Sequence, residues 1–488
     1  MSAHGRGFGE LPRTRTLPRG LCPVRERNLT GVARFSTCLL KSNEERRLDC
    51  PRHLTSAPSL ENTESAAFSD TFAFLQSTSH GSIQGRARFC PIGKLPLNTP
   101  LPDECHTCQE KAMVTPYTID IADERLAAIG TRIAGYDWSQ LPDVGGWSAG
   151  VGVEDLRRLV NYWNNDFDWR DVERRLNRLP NFTTQIQGER IHFLHKKGDG
   201  SKPPVLLLHG WPGSYLEFEQ LLEPLSSDGH DVVVPSLPGF AFSTPITGVI
   251  GPRRIAELMH ALMVRLFGQT RYVVQGGDWG AHIASWMAHD RPDALLGFHS
   301  NMVYIFAQDA APTSAEEQDW FASRAAILDW ETGYNHEQET RPQTLGVAMA
   351  DSPVGAAGWI LEKFGRWAYL PKRPDGSPDI WSKFSEEQLL TNIMLYVAPS
   401  SVVTATWIYH GKRLEKSDRF PPGTRVQAPL GVAAFRDPVF LPTPRSFVAK
   451  TYSVVHWTDM PRGGHFAALE EPELMLADLR AFIATVSQ

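Results

Sequence analysis

From about residue 201 onward, short unbroken apolar runs alternate with stretches whose apolar residues recur at helical spacing. That alternation predicts a parallel sheet covered by helices. Val205-Leu206-Leu207-Leu208 and Val232-Val233-Val234 are continuous apolar runs, as strands buried on both faces require. Tyr272-Val273-Val274 predicts the next strand. Before it, Pro252 opens a helix whose apolar face is Ile255, Leu258, Met259, Leu262 and Leu266. The pattern breaks over residues 305–415, which read as helical and rich in Trp, Tyr and Met. One helix there is capped by Ser352, begins at Pro353 and continues through Trp359, Ile360 and Phe364. The sheet resumes with Val432-Ala433-Ala434-Phe435 and Ser453-Val454-Val455-His456-Trp457, and a helix from Glu471 to about Ala484 closes the fold. The expectation is an α/β fold with a mostly parallel central sheet. The 305–415 insertion should form a helical lid over the strand ends, where open α/β sheets place their sites.

Residues 113–200 read as a folded N-terminal region. An amphipathic helix begins at Glu154 to Leu159 and runs into Tyr162-Trp163, and a second helical pattern spans Trp169 to Leu179. Trp138, Trp147, Trp163 and Trp169 are expected to be packing residues, because large aromatics bury much area. Residues 1–112 differ in kind. All six cysteines (22, 38, 50, 90, 105, 108) lie there, whereas all 14 Trp and all 11 Tyr come later. Rich in Arg, Ser, Thr, Pro and Gly, this stretch reads as disordered or as an over-extended N-terminal segment. Cys105-His106-Thr107-Cys108 has no second ligand pair at zinc spacing and reads as incidental. The domain reading is therefore 1–112, 113–200 and 201–488, with the lid inside the last.

Composition narrows the function classes. A hydrophobic fraction of 42% and a charged fraction of 21% are those of a globular protein. The net charge of −6 gives no footprint for nucleic acid or an anionic membrane. No apolar stretch reaches the roughly 18 residues of a membrane span. The N-terminus lacks the apolar core of a secretory signal, so the Asn181-Phe182-Thr183 sequon is expected to stay unused. The cysteine-free remainder fits a reducing compartment, and the expected setting is soluble and cytoplasmic.

The chemistry centres on Val273-Val274-Gln275-Gly276-Gly277-Asp278-Trp279-Gly280. It has the outline of a nucleophile elbow, G-x-S-x-G, with aspartate in the serine position. A carboxylate nucleophile displaces a leaving group from saturated carbon and leaves an alkyl ester on the enzyme. The run therefore predicts a hydrolase of electrophilic carbon, such as an epoxide or a haloalkane. Asp278 then needs a base to activate water and an acid to orient that base. In this fold the chain order is nucleophile, acid, histidine. His465, in the glycine-rich Arg462-Gly463-Gly464-His465-Phe466, is the candidate base, and Asp437, just after the 432–435 strand, is the candidate orienting acid, with Asp459 as its rival. His209-Gly210-Trp211-Pro212-Gly213-Ser214 follows a buried strand. The backbone N–H groups of Trp211 and Trp279 are the candidate oxyanion hole.

Together these residues resemble the microsomal-type epoxide hydrolase family, through HGWPGS, GGDWG and RGGHFAALEEP, and the resemblance runs from Met113 to the C-terminus. It implies an α/β-hydrolase fold, with residues 113–200 as the extension that wraps the catalytic domain. It also implies two lid tyrosines that hold the epoxide oxygen. Glu331-Thr332-Gly333-Tyr334 with Thr340-Arg341-Pro342 matches the first lid motif, giving Tyr334, and Trp407-Ile408-Tyr409 matches the second, giving Tyr409. Phenol hydroxyls can donate to a departing alkoxide and protonate it. Two departures stand out. The family pattern resembles F-P-x-D, whereas Phe435-Arg436-Asp437 places the acid one residue earlier. Mammalian members carry an N-terminal membrane anchor, and residues 1–112 contain no such span. The expected reaction is epoxide to vicinal diol, on a small apolar epoxide and water, with no cofactor or metal and with neither nucleic acid nor membrane as partner. A homodimer is left open. Trp359, Phe364 and Trp367 suggest an apolar lid pocket. The rival readings are a haloalkane dehalogenase and a non-catalytic ligand-binding homologue.

Overall fold

The computed structural model of the chain describes residues 113–488. The expectations for residues 1–112, including the Cys105/Cys108 pair, lie outside the described residues. Among the described residues nine strands form one sheet: β1 (Thr115–Pro116), β2 (Asn181–Ile186), β3 (Glu189–Lys196), β4 (Val205–Leu208), β5 (Val232–Pro235), β6 (Tyr272–Gly276), β7 (Leu295–Ser300), β8 (Val426–Ala434) and β9 (Tyr452–Asp459). Their order is β1-β2-β3-β5-β4-β6-β7-β8-β9. From β5 to β9 all pairings are parallel, with Val205 opposite Val232 and Leu208 opposite Gly276. β4 and β5 are fully buried, as their unbroken apolar runs demand. Each such Val or Leu side chain contributes roughly 1.5–3 kcal/mol by leaving water.

The sheet starts earlier than the strand–helix alternation suggested. β1, β2 and β3 come from the N-terminal region and add antiparallel to the edge at β5. The β2–β3 hairpin turns at Gln187-Gly188, both at positive φ (51° and 90°), as in a two-residue hairpin turn matched to strand twist. The sheet is thus hydrogen-bonded across the 200/201 boundary. Asn181 of the sequon is buried, donating to the carbonyls of Leu176 and Leu179 and pairing with the His192 ring. The α-helices of this region are Asp123–Ala134, which the pattern did not suggest, Val153–Asn165 and Trp169–Leu176, the last ending earlier than its pattern implied. Trp147, Trp163 and Trp169 are buried, and Trp138 is half-buried beneath the Arg157 guanidinium.

Between β7 and β8 lie the lid helices Ala315–Glu331, Gly333–Thr340, Pro342–Asp351, Pro353–Trp367, Glu386–Val397 and Trp407–Glu415. Ser352 caps the fourth, accepting from the Gly355 N–H at 2.9 Å. The N-terminal region braces this lid. Asp155 is buried and accepts from Trp147 Nε1 (2.7 Å), from both Arg373 Nη atoms (2.9 and 2.8 Å) and from Trp381 Nε1 (2.6 Å). A buried carboxylate is tolerable only with such complete pairing. Arg125 adds a bond to the Val397 carbonyl at 2.6 Å. Among the described residues no helix is long and apolar enough to cross a membrane.

Candidate active site

β6 ends at Gly276 and the helix Trp279–Asp290 begins three residues later, so the chain turns within Gly277-Asp278. Asp278 has φ 49° and ψ −126°, a strained conformation that costs of order 1–3 kcal/mol and persists only where surroundings enforce it. They do so by close approach. A Cβ on Gly280 would stand 1.9 Å from the Leu208 carbonyl oxygen, and one on Gly210 would stand 2.0 Å from Asp278 Oδ1. The helix is therefore seated directly against β4, and the loop after β4 lies directly against the carboxylate. Trp211 N–H donates to Asp278 Oδ1 at 2.8 Å. The Trp279 backbone N–H, the other candidate donor, makes no bond to that carboxylate among the described residues.

His465 sits in the loop between β9 and the C-terminal helices. Its Nδ1 is 2.7 Å from Asp437 Oδ2. Its Nε2 lies 3.3 Å from Asp278 Oδ2 but lacks the alignment of a hydrogen bond. The second Asp437 oxygen accepts from the N–H groups of Val439 and Phe440, at 2.9 and 2.8 Å. The shortened Phe-to-Asp spacing is absorbed locally, because Arg436 N–H donates to the Gly463 carbonyl at 2.8 Å and ties the two loops together. Asp459, the rival acid, is exposed and accepts from Trp457 Nε1. Burial of the imidazole opposes its charge, yet the carboxylates of Asp437 and Asp278 outweigh it and hold the pKa up to about 10.

The lid lowers both tyrosines onto this centre. Tyr334 and Tyr409 are buried, with ring centroids 5.9 Å apart and planes at 83°. Tyr334 stacks on Trp211 (5.4 Å, 11°), and Tyr409 meets Trp279 edge-on (4.6 Å, 84°). Burial raises both phenol pKa values well above their ordinary range, helped by the Asp278 charge at Tyr334 and by Tyr334 and then Asp278 at Tyr409, so both hydroxyls carry their protons.

Two cavities meet at Asp278. The larger, about 430 Å³, is lined by both tyrosines and by aromatic residues such as Tyr304, Phe306, Trp320 and Phe440. Trp359, Phe364 and Trp367, expected in such a pocket, do not line it. Trp359 Nε1 donates to Gln338, Phe364 stacks on Phe466 at 4.1 Å, and Trp367 packs between Tyr334 and His465. Phe364 and Trp367 thus pack down onto Phe466, Tyr334 and His465 rather than towards the cavity. The smaller cavity lies against Gly210, Gly213, Glu217, Gln275 and His465. Among the described residues Asp278 is the one that lines both.

Sequence reasoning passed over several polar groups here. Glu470 is buried and accepts from the N–H groups of Gly464 and Phe466, on either side of His465, and of Tyr369, at 2.8 to 2.9 Å. Its signal was available as the first glutamate of ALEEP, in the same quoted motif as the histidine. Gln275 Nε2 donates to Asn301 Oδ1 at 3.1 Å, beside the elbow. Glu217 lies four residues beyond Gly213 and had no motif reading.

Comparison with known proteins agrees with this architecture. Residues 114–218 match the model described as "Epoxide hydrolase N terminus", and residues 203–337 match that of the alpha/beta hydrolase fold. A relative in Stigmatella aurantiaca, itself named only provisionally as an epoxide hydrolase, is 38% identical over 381 residues, which is 75% of this chain and 84% of the relative. Juvenile hormone epoxide hydrolase 2 of Ctenocephalides felis is 35% identical over 75% of this chain and 84% of its own length. The crystal structure of juvenile hormone epoxide hydrolase from the silkworm Bombyx mori superposes with a TM-score of 0.69 at 29% identity, covering 77% of this chain and 95% of that one. With an N-terminal model specific to these enzymes and relatives this similar over most of both chains, the chain belongs to the epoxide hydrolase family.

Proposed function

We propose that this epoxide hydrolase opens its substrate with Asp278 and hydrolyses the resulting ester with water activated by His465. The observation that carries the reading is the position of Asp278, the residue shared by a tyrosine-lined cavity and a histidine-lined one. In the first step Asp278 Oδ2 attacks a ring carbon while Oδ1 stays on the Trp211 N–H. The C–O bond of the ring breaks, and the departing alkoxide takes a proton from Tyr334 or Tyr409.

Alkylation neutralises Asp278 and removes one of the two charges that hold His465 protonated. The imidazolium then gives its proton to the phenolate and becomes a base. Asp437 keeps the Nδ1–H in place, so Nε2 is the nitrogen that takes a proton from water. Hydroxide adds to Cγ of Asp278, and Oδ1 becomes the oxyanion, stabilised by Trp211 N–H and by Trp279 N–H in the oxyanion hole. Collapse expels the diol oxygen, which takes the proton from His465. The new Asp278 carboxyl returns its own proton to His465. Epoxide plus water gives diol.

The substrate class in this reading is a small apolar epoxide, supported by the aromatic lining of the larger cavity. Residues 113–200 act as a brace for the lid, supported by the Asp155 contacts. A cytoplasmic setting is supported by the absence of cysteine after residue 108. Single turnover of styrene oxide in ¹⁸O-water tests the mechanism. The label should enter the Asp278 carboxylate, and the diol of the first turnover should be unlabelled. Label in that first diol with none in Asp278 would reject the ester route.

A further inference from the structure

Ester hydrolysis requires a water molecule within reach of both Cγ of Asp278 and Nε2 of His465. In the two-step reading the tyrosine-lined cavity holds the alkyl group until the ester is cleaved. The smaller cavity reaches Asp278 from the other side, and His465 lines it whereas neither tyrosine does. It leaves about 10 Å³ for the centre of a water molecule, which is room for one.

Its polar wall is unusual. His465 Nε2 and Gln275 Oε1 are both buried without a hydrogen-bond partner. Buried polar atoms of this kind call for a water. Glu217 also lines the cavity, from the turn Tyr215–Phe218, where the backbone N–H of Ser214 donates to its carboxyl and leaves the rest of the group facing the cavity. A Cβ on Gly213 would stand 1.7 Å from Glu217 Oε1, so glycine at 213 makes the space into which this carboxyl reaches. The lid holds the same loop from above, with Asn392 Nδ2 on the Pro212 carbonyl at 2.7 Å and the Tyr396 hydroxyl on the Gly213 carbonyl.

Building on the two-step reading above, we infer that this cavity holds the hydrolytic water and that Glu217 is the positioning residue that orients it towards Asp278 and His465. The water donates one proton towards His465 Nε2 and the other towards the Glu217 carboxyl or Gln275 Oε1. Three polar partners are the usual complement of a buried water. Burial pushes the Glu217 carboxyl up to about 8, against the pull of the His465 imidazolium, so it can sit beside Asp278 without adding a full second negative charge at neutral pH. Glu217 has no part in ring opening, because the cavity it lines is not the one that takes the epoxide.

The test separates the two half-reactions. The full chain and its Glu217→Ala and Glu217→Gln variants are mixed with styrene oxide and quenched at short times. Intact-protein mass then reports the fraction of enzyme carrying one substrate. Glu217→Ala should alkylate within about twofold of wild type but hydrolyse the ester roughly 10²-fold more slowly, as a displaced reactant does. Covalent enzyme should accumulate, and kcat and KM should fall together with kcat/KM unchanged. Glu217→Gln, which keeps an acceptor at the same place, should recover much of the hydrolysis rate. Gly213→Ala, which pushes the carboxyl away, should resemble Glu217→Ala. Unchanged hydrolysis in Glu217→Ala, or equal loss in both steps, would overturn the assignment. Absence of the adduct in every protein, wild type included, together with no label in Asp278, would instead mean that the two-step reading itself had failed. Should Glu217→Ala not fold, Glu217→Gln and Gly213→Ala carry the same comparison.

Discussion

The two cavities that meet at Asp278 are built in opposite ways. The larger is walled by lid residues such as Trp320, Phe321, Tyr334 and Tyr409, along with Phe447 from beyond the lid. The smaller is walled by the ends of β4 and β6, the turn at Glu217 and the His465 loop, all tied to the sheet. The sheet-built cavity is tight, and its shape is enforced by glycines against which no side chain would fit. The lid-built cavity is roomy and aromatic. In the proposed two-step reading, the difference assigns the half-reactions to different parts of the structure: the lid to admitting the epoxide and holding its oxygen, the sheet to cleaving the ester.

The largest way to test that division is His465→Gln. It leaves Asp278 and both tyrosines in place, so ring opening should survive while ester hydrolysis falls by roughly 10⁴-fold, the upper range for loss of a general base. Enzyme stoichiometrically alkylated by styrene oxide should be seen by mass. If alkylation were lost equally, the two cavities would not divide the reaction.

Tyr334→Phe and Tyr409→Phe probe the other side. Each should slow alkylation by about 10²-fold, the scale for removing one oxyanion donor, and leave hydrolysis of preformed ester nearly unchanged. The double variant should lose far more than either alone. A single variant that slowed ester hydrolysis instead would place its hydroxyl in the wrong cavity.

The smallest effect is a pH signature of stability. The folded-state pKa of His465, about 10, lies above its ordinary 6.5. The group binds its proton more tightly when folded. Its contribution is therefore complete below about pH 6.5 and is lost as pH rises through 10. The gap in Tm between wild type and His465→Gln should accordingly narrow from pH 6.5 to 10. A gap that widened over that range would show that the carboxylates do not hold the imidazolium.

How much of this was readable beforehand follows the same line. Asp278 was legible because an apolar strand, a glycine turn and a helix start leave little freedom for the residue between them. The α/β class and the capped helix at Ser352 were legible for the same local reason. The sequence favoured Asp437 over Asp459 by its place after the strand, and the backbone bond from Arg436 to Gly463 ties its loop to that of His465, where Asp437 meets the imidazole. Trp359, Phe364 and Trp367 were read as pocket walls and are instead supports, because helical spacing says which residues share a face and not what that face meets. The β2–β3 hairpin was missed for a related reason. Its residues Glu189–Lys196 mix apolar and charged side chains, and only their pairing with β5 makes them a strand of the main sheet.

The sequence by itself determined the elements, the elbow, the order of the candidate acid and base, and the reaction class that an aspartate at that turn favours. These depend on neighbours within a few residues, whose backbone preferences and periodicity are written locally. Only the tertiary structure decided that Asp278 joins two cavities, that Glu470 holds the His465 loop and that Glu217 reaches the space opposite Gly213. These depend on contacts between segments far apart in the chain, such as Asn392 on Pro212, and the spacing of residues along a chain carries no record of which distant surfaces will close on one another.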